Sequence, residues 1–127
     1  MHELPATTAL LQVALDTAIE AGARRVLAID VVIGDLTSMV DDSVQFYFDL
    51  LSRDTAAAGA VLRFRREPAM AECRDCSARE PVRPPLSPVC GQCGSLAVQV
   101  TGGQQFHVES VEVSDEGSGS QGDPQGE

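Results

Sequence analysis

Four cysteines stand in two close pairs, Cys73-Arg-Asp-Cys76 and Cys90-Gly-Gln-Cys93, with thirteen residues between them. No other feature of the chain limits its fold as much. Each pair can place two thiolates on one ion from a tight turn, and a loop of this length can bring the second pair round to close a tetrahedron. At 127 residues the chain forms at most one ordinary domain or two small lobes. A chain of this size buries a limited share of its surface, so a metal cross-link helps it.

Other readings of the pairs are weaker on physical grounds. Disulfides do not persist in a reducing compartment. A redox-active pair would open a helix in a thioredoxin-like pattern, which the prolines and glycines around these pairs oppose. An iron site with four thiolates has the same geometry and stays open on ligands alone. The spacing favours structural zinc, and a closed four-thiolate site leaves no position for a substrate. Gly91 and Gly94 give the second turn its backbone freedom, whereas Arg74, Asp75 and Ser77 surround the first.

Charge narrows the partners. The formal net charge is −10, and Asp115, Glu116, Asp123 and Glu127 lie in a Gly- and Ser-rich tail over 114–127 that reads as disordered. The remainder is still acidic, against a phosphate backbone as partner. Between Ala69 and Gly103, Arg74, Arg79 and Arg83 balance Glu72, Asp75 and Glu80. Four thiolates with one zinc then make that segment negative, and it has no aromatic ring for stacking on a base. No basic segment followed by an apolar run marks a signal peptide, and no apolar run is long enough for a bilayer. The expectation is a cytoplasmic protein with no nucleic-acid and no membrane partner. No spare cysteine, serine motif or phosphate-binding glycine loop suggests an enzyme.

Hydrophobic content of 43% is globular, yet with four Phe, one Tyr and no Trp the core must come from Leu, Val, Ile and Ala. Leu4, Leu11, Ala14, Leu15, Ala18 and Ile19 recur at helical spacing from Leu4 to Ala21, with Gln12, Asp16 and Glu20 on another face. Pro5 suits the first turn and Gly22 the stop. RVLAIDVVIG predicts a strand with Leu27, Ile29, Val31 and Ile33 on one side, and Val26, Ala28, Asp30 and Val32 on the other. A second helix is expected from Asp42 to Arg53 with Val44, Tyr47, Phe48 and Leu51 buried. Asp42 and Gln45 resemble a capping pair, with Asp41 the alternative cap. AVLRFRRE predicts a strand closed by Pro68. QQFHVESVEV predicts a last strand whose apolar phase slips between Val108 and Val111. His107 on it has no metal partner nearby in sequence and reads as structural.

The amino end is a second place where metal chemistry is possible. Met1 offers a primary amine, and His2 an amide nitrogen and an imidazole. Amine and amide nitrogens close a five-membered ring on a metal, and amide and imidazole Nδ1 a six-membered one. The Glu3 amide closes a further ring. Such a planar, nitrogen-rich set suits Ni(II) or Cu(II) rather than tetrahedral zinc. Without a ligand role, Glu3 is a first-turn carboxylate favoured by the helix dipole.

Together these pieces resemble the HypA family, nickel-incorporation proteins of [NiFe]-hydrogenase maturation. Met1-His2-Glu3, LLQVALDTAIEAGARRVLAIDVVIGDL, the spacing of Cys73, Cys76, Cys90 and Cys93, and HVESVEV match in order over about residues 1–113. The resemblance implies a metallochaperone that carries Ni(II) on Met1, His2 and Glu3 and holds Zn(II) as a structural ion on the four cysteines. Its implied partners are a HypB-type GTPase and the hydrogenase large subunit, and some members serve urease maturation with a urease accessory protein. Asp41 is the nearest match to an acidic residue linked to the nickel site. Pro5 and Ser77 depart from the family pattern. The rival reading is a zinc-ribbon interaction module without a second metal. The expected fold is α+β, a small three-stranded sheet packed with two helices plus an inserted four-cysteine zinc-ribbon-like lobe. Residues 1–68 with 104–113 would form the nickel-binding lobe, 69–103 the zinc-binding lobe, and 114–127 the tail.

Overall fold

A computed structural model describes residues 3–115. Met1, His2 and the tail from residue 116 lie outside the described residues. The elements in order are α1 (Glu3–Glu20), β1 (Arg25–Gly34), α2 (Asp41–Leu51), β2 (Val61–Glu67), β3 (Ala69–Cys73), β4 (Arg79–Val82), β5 (Val98–Thr101) and β6 (Phe106–Ser114). Two three-stranded sheets result, ordered β2-β1-β6 and β4-β3-β5. The fold is therefore α+β, with two helices and a four-cysteine cluster.

The chain divides into two compact units, one of Met1–Val31, Met39–Phe64 and His107–Glu127, the other of Val32–Ser38 and Arg65–Phe106. In the first, α1 packs on α2. Leu10, Leu11, Ala14 and Ala18 of α1, Val26, Ile29 and Val31 of β1, and Val44 and Phe48 of α2 are buried. Full burial of the Leu, Val, Ile and Phe side chains among them is worth about 1.5–3 kcal/mol each. The buried arc of α1 also takes in Glu3 and Thr7, while Leu4 and Ile19 are exposed, contrary to the expected face. Leu10 and Ala14 lie on the same side as Thr7 at 3.6 residues per turn, so burial is centred there and not on the Leu15–Ile19 edge. Thr7 fits because its hydroxyl donates to the Glu3 carbonyl, 2.5 Å away.

In α2, Val44 and Phe48 are buried and Tyr47 and Leu51 half-buried. The expected capping pair is absent. Val40 stands at the N-cap with no side-chain cap bond. Gln45 instead bonds Asp49 one turn on, and its carbonyl accepts the amide of Leu62. β1 is the middle strand of its sheet, which accounts for its near-continuous apolar run. Asp30, the polar interruption, is matched by Arg63 of β2 and Ser110 of β6. On β6 the half-buried positions pass from Phe106 and Val108 to Val111 and Val113, the phase change expected there.

In the second unit, β3 lies between β4 and β5, antiparallel to both, with Ala71 opposite Glu80 and Val100. None of these strands was expected. The inward residues of β3 are Ala69, Ala71 and Cys73, and β4 and β5 are four residues each, too short to show a hydropathy period. Residues 34–36 are threaded into this unit by three backbone bonds, Gly34 to Gln105, Asp35 to Glu67 and Leu36 to Gly103, all 2.7–2.8 Å. The threading needs glycine twice. A Cβ on Gly34 would meet the Gly103 carbonyl at 2.2 Å, and Gly103 itself has φ +78°.

Candidate metal centre

Each cysteine pair forms the same small loop. Cys73 N–H donates to the Ala78 carbonyl and Ser77 N–H to the Cys73 carbonyl, both at 2.9 Å. In the second loop Cys90 N–H donates to Ser95 at 2.8 Å and Gly94 N–H to Cys90 at 2.9 Å. The first sulfur of each pair takes two amides, those of Cys76 and Asp75 for Cys73, and those of Cys93 and Gln92 for Cys90. The second takes one, from Ala78 for Cys76 and from Ser95 for Cys93. β3 ends in the first loop, which fixes it to the sheet, and Arg74 N–H bonds the Ala97 carbonyl beside β5. Asp75 and Ser95, not expected as site residues, join the loops through a hydroxyl–carboxylate bond.

The loops face each other with opposite ends matched. Cys73 Sγ lies 3.6 Å from Cys93 Sγ, and Cys76 Sγ 3.7 Å from Cys90 Sγ. All four sulfurs fall within 4.8 Å of one another. A zinc ion with Zn–S bonds of about 2.3 Å requires tetrahedral edges of about 3.8 Å, so the donor set fits that ion. Cys73 and Cys90 are buried, and Cys76 and Cys93 are exposed.

Electrostatics repeat the pattern. Amide donors hold Cys73 below the usual thiol range and bring Cys90 down to about 7. For Cys76 the Ala78 amide favours the thiolate, but desolvation and the Cys90 sulfur outweigh it and move the thiol up. The Ser95 amide likewise favours the Cys93 thiolate, yet the Cys73 sulfur and desolvation push it up to about 12. Four sulfurs at this spacing cannot all ionise unaided, and a dication removes that obstacle.

Glu3 opens α1 and is only 5% exposed, and its Oε1 has no hydrogen-bond partner among the described residues. Asp41 opens α2, and His107 is exposed on β6. Among the described residues, the four cysteines are the one group of three or more His, Cys, Asp or Glu side chains close enough to hold a metal.

A family model described as hydrogenase/urease nickel incorporation, metallochaperone, hypA matches residues 1–113. The chain belongs to the HypA family. A hydrogenase maturation factor HypA of Dehalococcoides mccartyi (strain CBDB1) is 44% identical over 120 residues, covering 94% of this chain and 100% of the relative. One from Geobacter metallireducens is 37% identical over 113 residues, covering 89% and 99%. The solution structure of the Ni metallochaperone HypA from Helicobacter pylori shares the fold, with a TM-score of 0.62 at 24% identity over 91% of this chain and 100% of that one. As a HypA protein, the chain is a nickel-incorporation metallochaperone of hydrogenase or urease maturation and not a catalyst. No helix among its described residues is long and apolar enough to cross a membrane.

Proposed function

We propose that the chain binds Ni(II) through the amine of Met1, the amide and imidazole nitrogens of His2 and the Glu3 amide, and delivers it to the large subunit of a [NiFe]-hydrogenase. Zn(II) on Cys73, Cys76, Cys90 and Cys93 is then a resident structural ion. A HypB-type GTPase is the cooperating partner, and urease maturation through an accessory protein is a second outlet for the same cargo. The work is done in the cytoplasm, where the thiols stay reduced.

The observation that carries the nickel reading is the buried Glu3 carboxylate oxygen, which has no partner among the described residues and stands one residue from His2 in the sequence. An acceptor buried without a donor costs stability, and a bound cation offsets that cost. The carboxylate also offsets the positive end of α1, which by itself repels a cation. The zinc reading is supported by sulfur spacing that matches a tetrahedral edge. Ligands at a chain end can be exchanged one at a time, which suits an ion that must be given up. Nickel binding displaces protons from imidazole and amide nitrogens, so affinity falls as pH is lowered. Cu(II) outcompetes Ni(II) for such donors, which leaves selectivity to partners and metal supply.

The test is metal content per chain with the native amino terminus. His2→Ala should lose nickel by more than the roughly 10–100-fold typical of an outer-shell change, with zinc and fold retained. A retained amino-terminal tag should do similar damage by consuming the free amine. Undiminished nickel binding by His2→Ala sinks the proposal.

A further inference from the structure

Beside the cysteine cluster, one face of the β4-β3-β5 sheet carries a hollow of about 90 Å³. Ala71 forms its floor, with Val82 of β4 and Val98 and Val100 of β5 around it and Leu86 from the proline-rich loop at its rim. The register explains why it exists. Ala71 stands opposite Glu80 on one side and Val100 on the other, and the next rows on this face are Ala69 with Val82 and Cys73 with Val98. A methyl group at the centre of larger neighbours leaves the space open. Of the four cysteines, Cys73 and Cys90 line the hollow, so it adjoins the place of the ion, while its floor and far wall are the aliphatic residues of the sheet.

Three observations define the occupant. The volume is far below the roughly 300–1,000 Å³ of cofactor pockets, and it suits one aliphatic side chain rather than a small-molecule ligand. The hollow's lining includes a single acid, Glu80, and no base. Among the described residues no hydrogen bond or ion pair engages the Glu80 carboxylate, and its Oε2 overhangs Gly91. The basic residue of this region nearest in register, Arg79, pairs in register with Glu72 on the alternate face of the sheet. The chain's own residues 116–127 do not suit the hollow, since they contain no Leu, Ile, Val, Met or basic residue and carry three acids.

We propose that this hollow is a docking site for an extended segment of a partner protein that inserts one aliphatic side chain over Ala71 and brings a lysine or arginine to Glu80. None of the residues lining the hollow is among the proposed nickel donors.

The probe is the acetylated, amidated pentapeptide Lys-Val-Leu-Val-Lys, titrated into the zinc-loaded, ¹⁵N-labelled full chain. Saturable amide shifts at Ala71, Glu80, Val98 and Val100 are expected, with a Kd on the order of 1 mM or tighter. Glu80→Gln should weaken binding about fivefold, the size of an exposed ion pair. Ala71→Leu should abolish it by filling the floor, and Val100→Ala should weaken it without burdening the fold. The peptide with glutamate in place of lysine should not bind. Absence of saturable shifts, equal binding of the acidic peptide, or binding indifferent to Glu80→Gln and Val100→Ala overturns the proposal. So do shifts at these residues that depend on protein concentration without peptide, which would assign the hollow to a second copy of the chain.

Discussion

Ser77 and Gly94 occupy the same place in the two cysteine loops, each directly after the second cysteine of its pair. Both have left-handed backbones, with φ of 64° and 75°. Serine holds that conformation at a cost of about 1–2 kcal/mol, from which glycine is free. Part of the gain is lost because glycine has more freedom to surrender on folding. Ser77→Gly should therefore stabilise the zinc-loaded protein by about 0.5–1 kcal/mol in denaturant unfolding, and Gly94→Ser should destabilise it by a similar amount. Nothing lies within 4 Å of a Cβ placed on Gly94, so the second change isolates the backbone effect.

Removing zinc should unfold the cysteine-bearing unit. A bound zinc ion displaces the thiol protons, and above the ordinary thiol value of 9.0 few remain to be displaced. The resulting stability is fully present above that value and is lost as pH falls. Apparent zinc affinity should drop by up to about tenfold per pH unit for each thiol proton displaced. Competition against a chromophoric chelator over a pH series measures this. A pH-independent affinity would mean the thiolates are not the ligands.

The three-stranded sheet of the first unit is tied across its face by Asp30. Arg63 Nε and Nη2 reach it at 2.8 and 3.0 Å, and the Ser110 hydroxyl at 2.6 Å. These bonds, Arg63 first, hold the Asp30 carboxyl below its ordinary value of 3.8. A depressed carboxylate contributes stability above that pH and loses it as pH falls through the folded-state value. Asp30→Asn should lower the Tm at neutral pH, and the difference from the unaltered chain should close on acidification below 3.8. A constant difference across the titration would count against the pairing as its source.

Glu3→Gln separates the cost of a buried carboxylate from its use. Without nickel the variant should melt at or above the temperature of the unaltered chain, because a buried carboxylate with an oxygen that has no partner among the described residues is replaced by a neutral amide. The rise in Tm on adding NiCl₂ should shrink. An undiminished nickel increment would mean that the carboxylate contributes nothing to the bound state.

Gly34→Ala should be among the most damaging substitutions in the chain. Its Cβ would stand 2.2 Å from the Gly103 backbone, which is held by its own bond to Leu36. A loss at or beyond the upper end of the usual 1–3 kcal/mol for overpacking is expected in urea unfolding.

Much of this molecule can be read from particular residues. The spacing of Ala14 and Ala18, the β-branched run of β1 and the pair Val44 and Phe48 specify their elements locally, because period and propensity agree there. The two Cys-x-x-Cys pairs specify four sulfurs on one centre for the same reason, since each turn is built from adjacent residues. Other features gave little local signal. Leu4 and Ile19 look like core residues, yet the face of α1 that meets its neighbours includes Thr7 and Glu3. Asp42 and Gln45 look like a cap, yet Gln45 is taken by Asp49 and by the amide of Leu62, seventeen residues on. β3 has only small inward side chains, and β4 and β5 span four residues each, too few for a period to show.

By itself the sequence determined α1, β1, α2, β2 and β6, the four sulfur donors and, through the residues matching its family, the nickel-incorporation role. Only the tertiary structure decided which sulfurs face each other, which carboxylate oxygen is buried with no partner among the described residues, and which alanine opens a hollow on the second sheet. The division has a physical cause. Periodicity and turn chemistry act over a few residues, whereas desolvation, sulfur–sulfur distances and register arise from segments far apart in the chain, each indifferent to the other until the backbone brings them together.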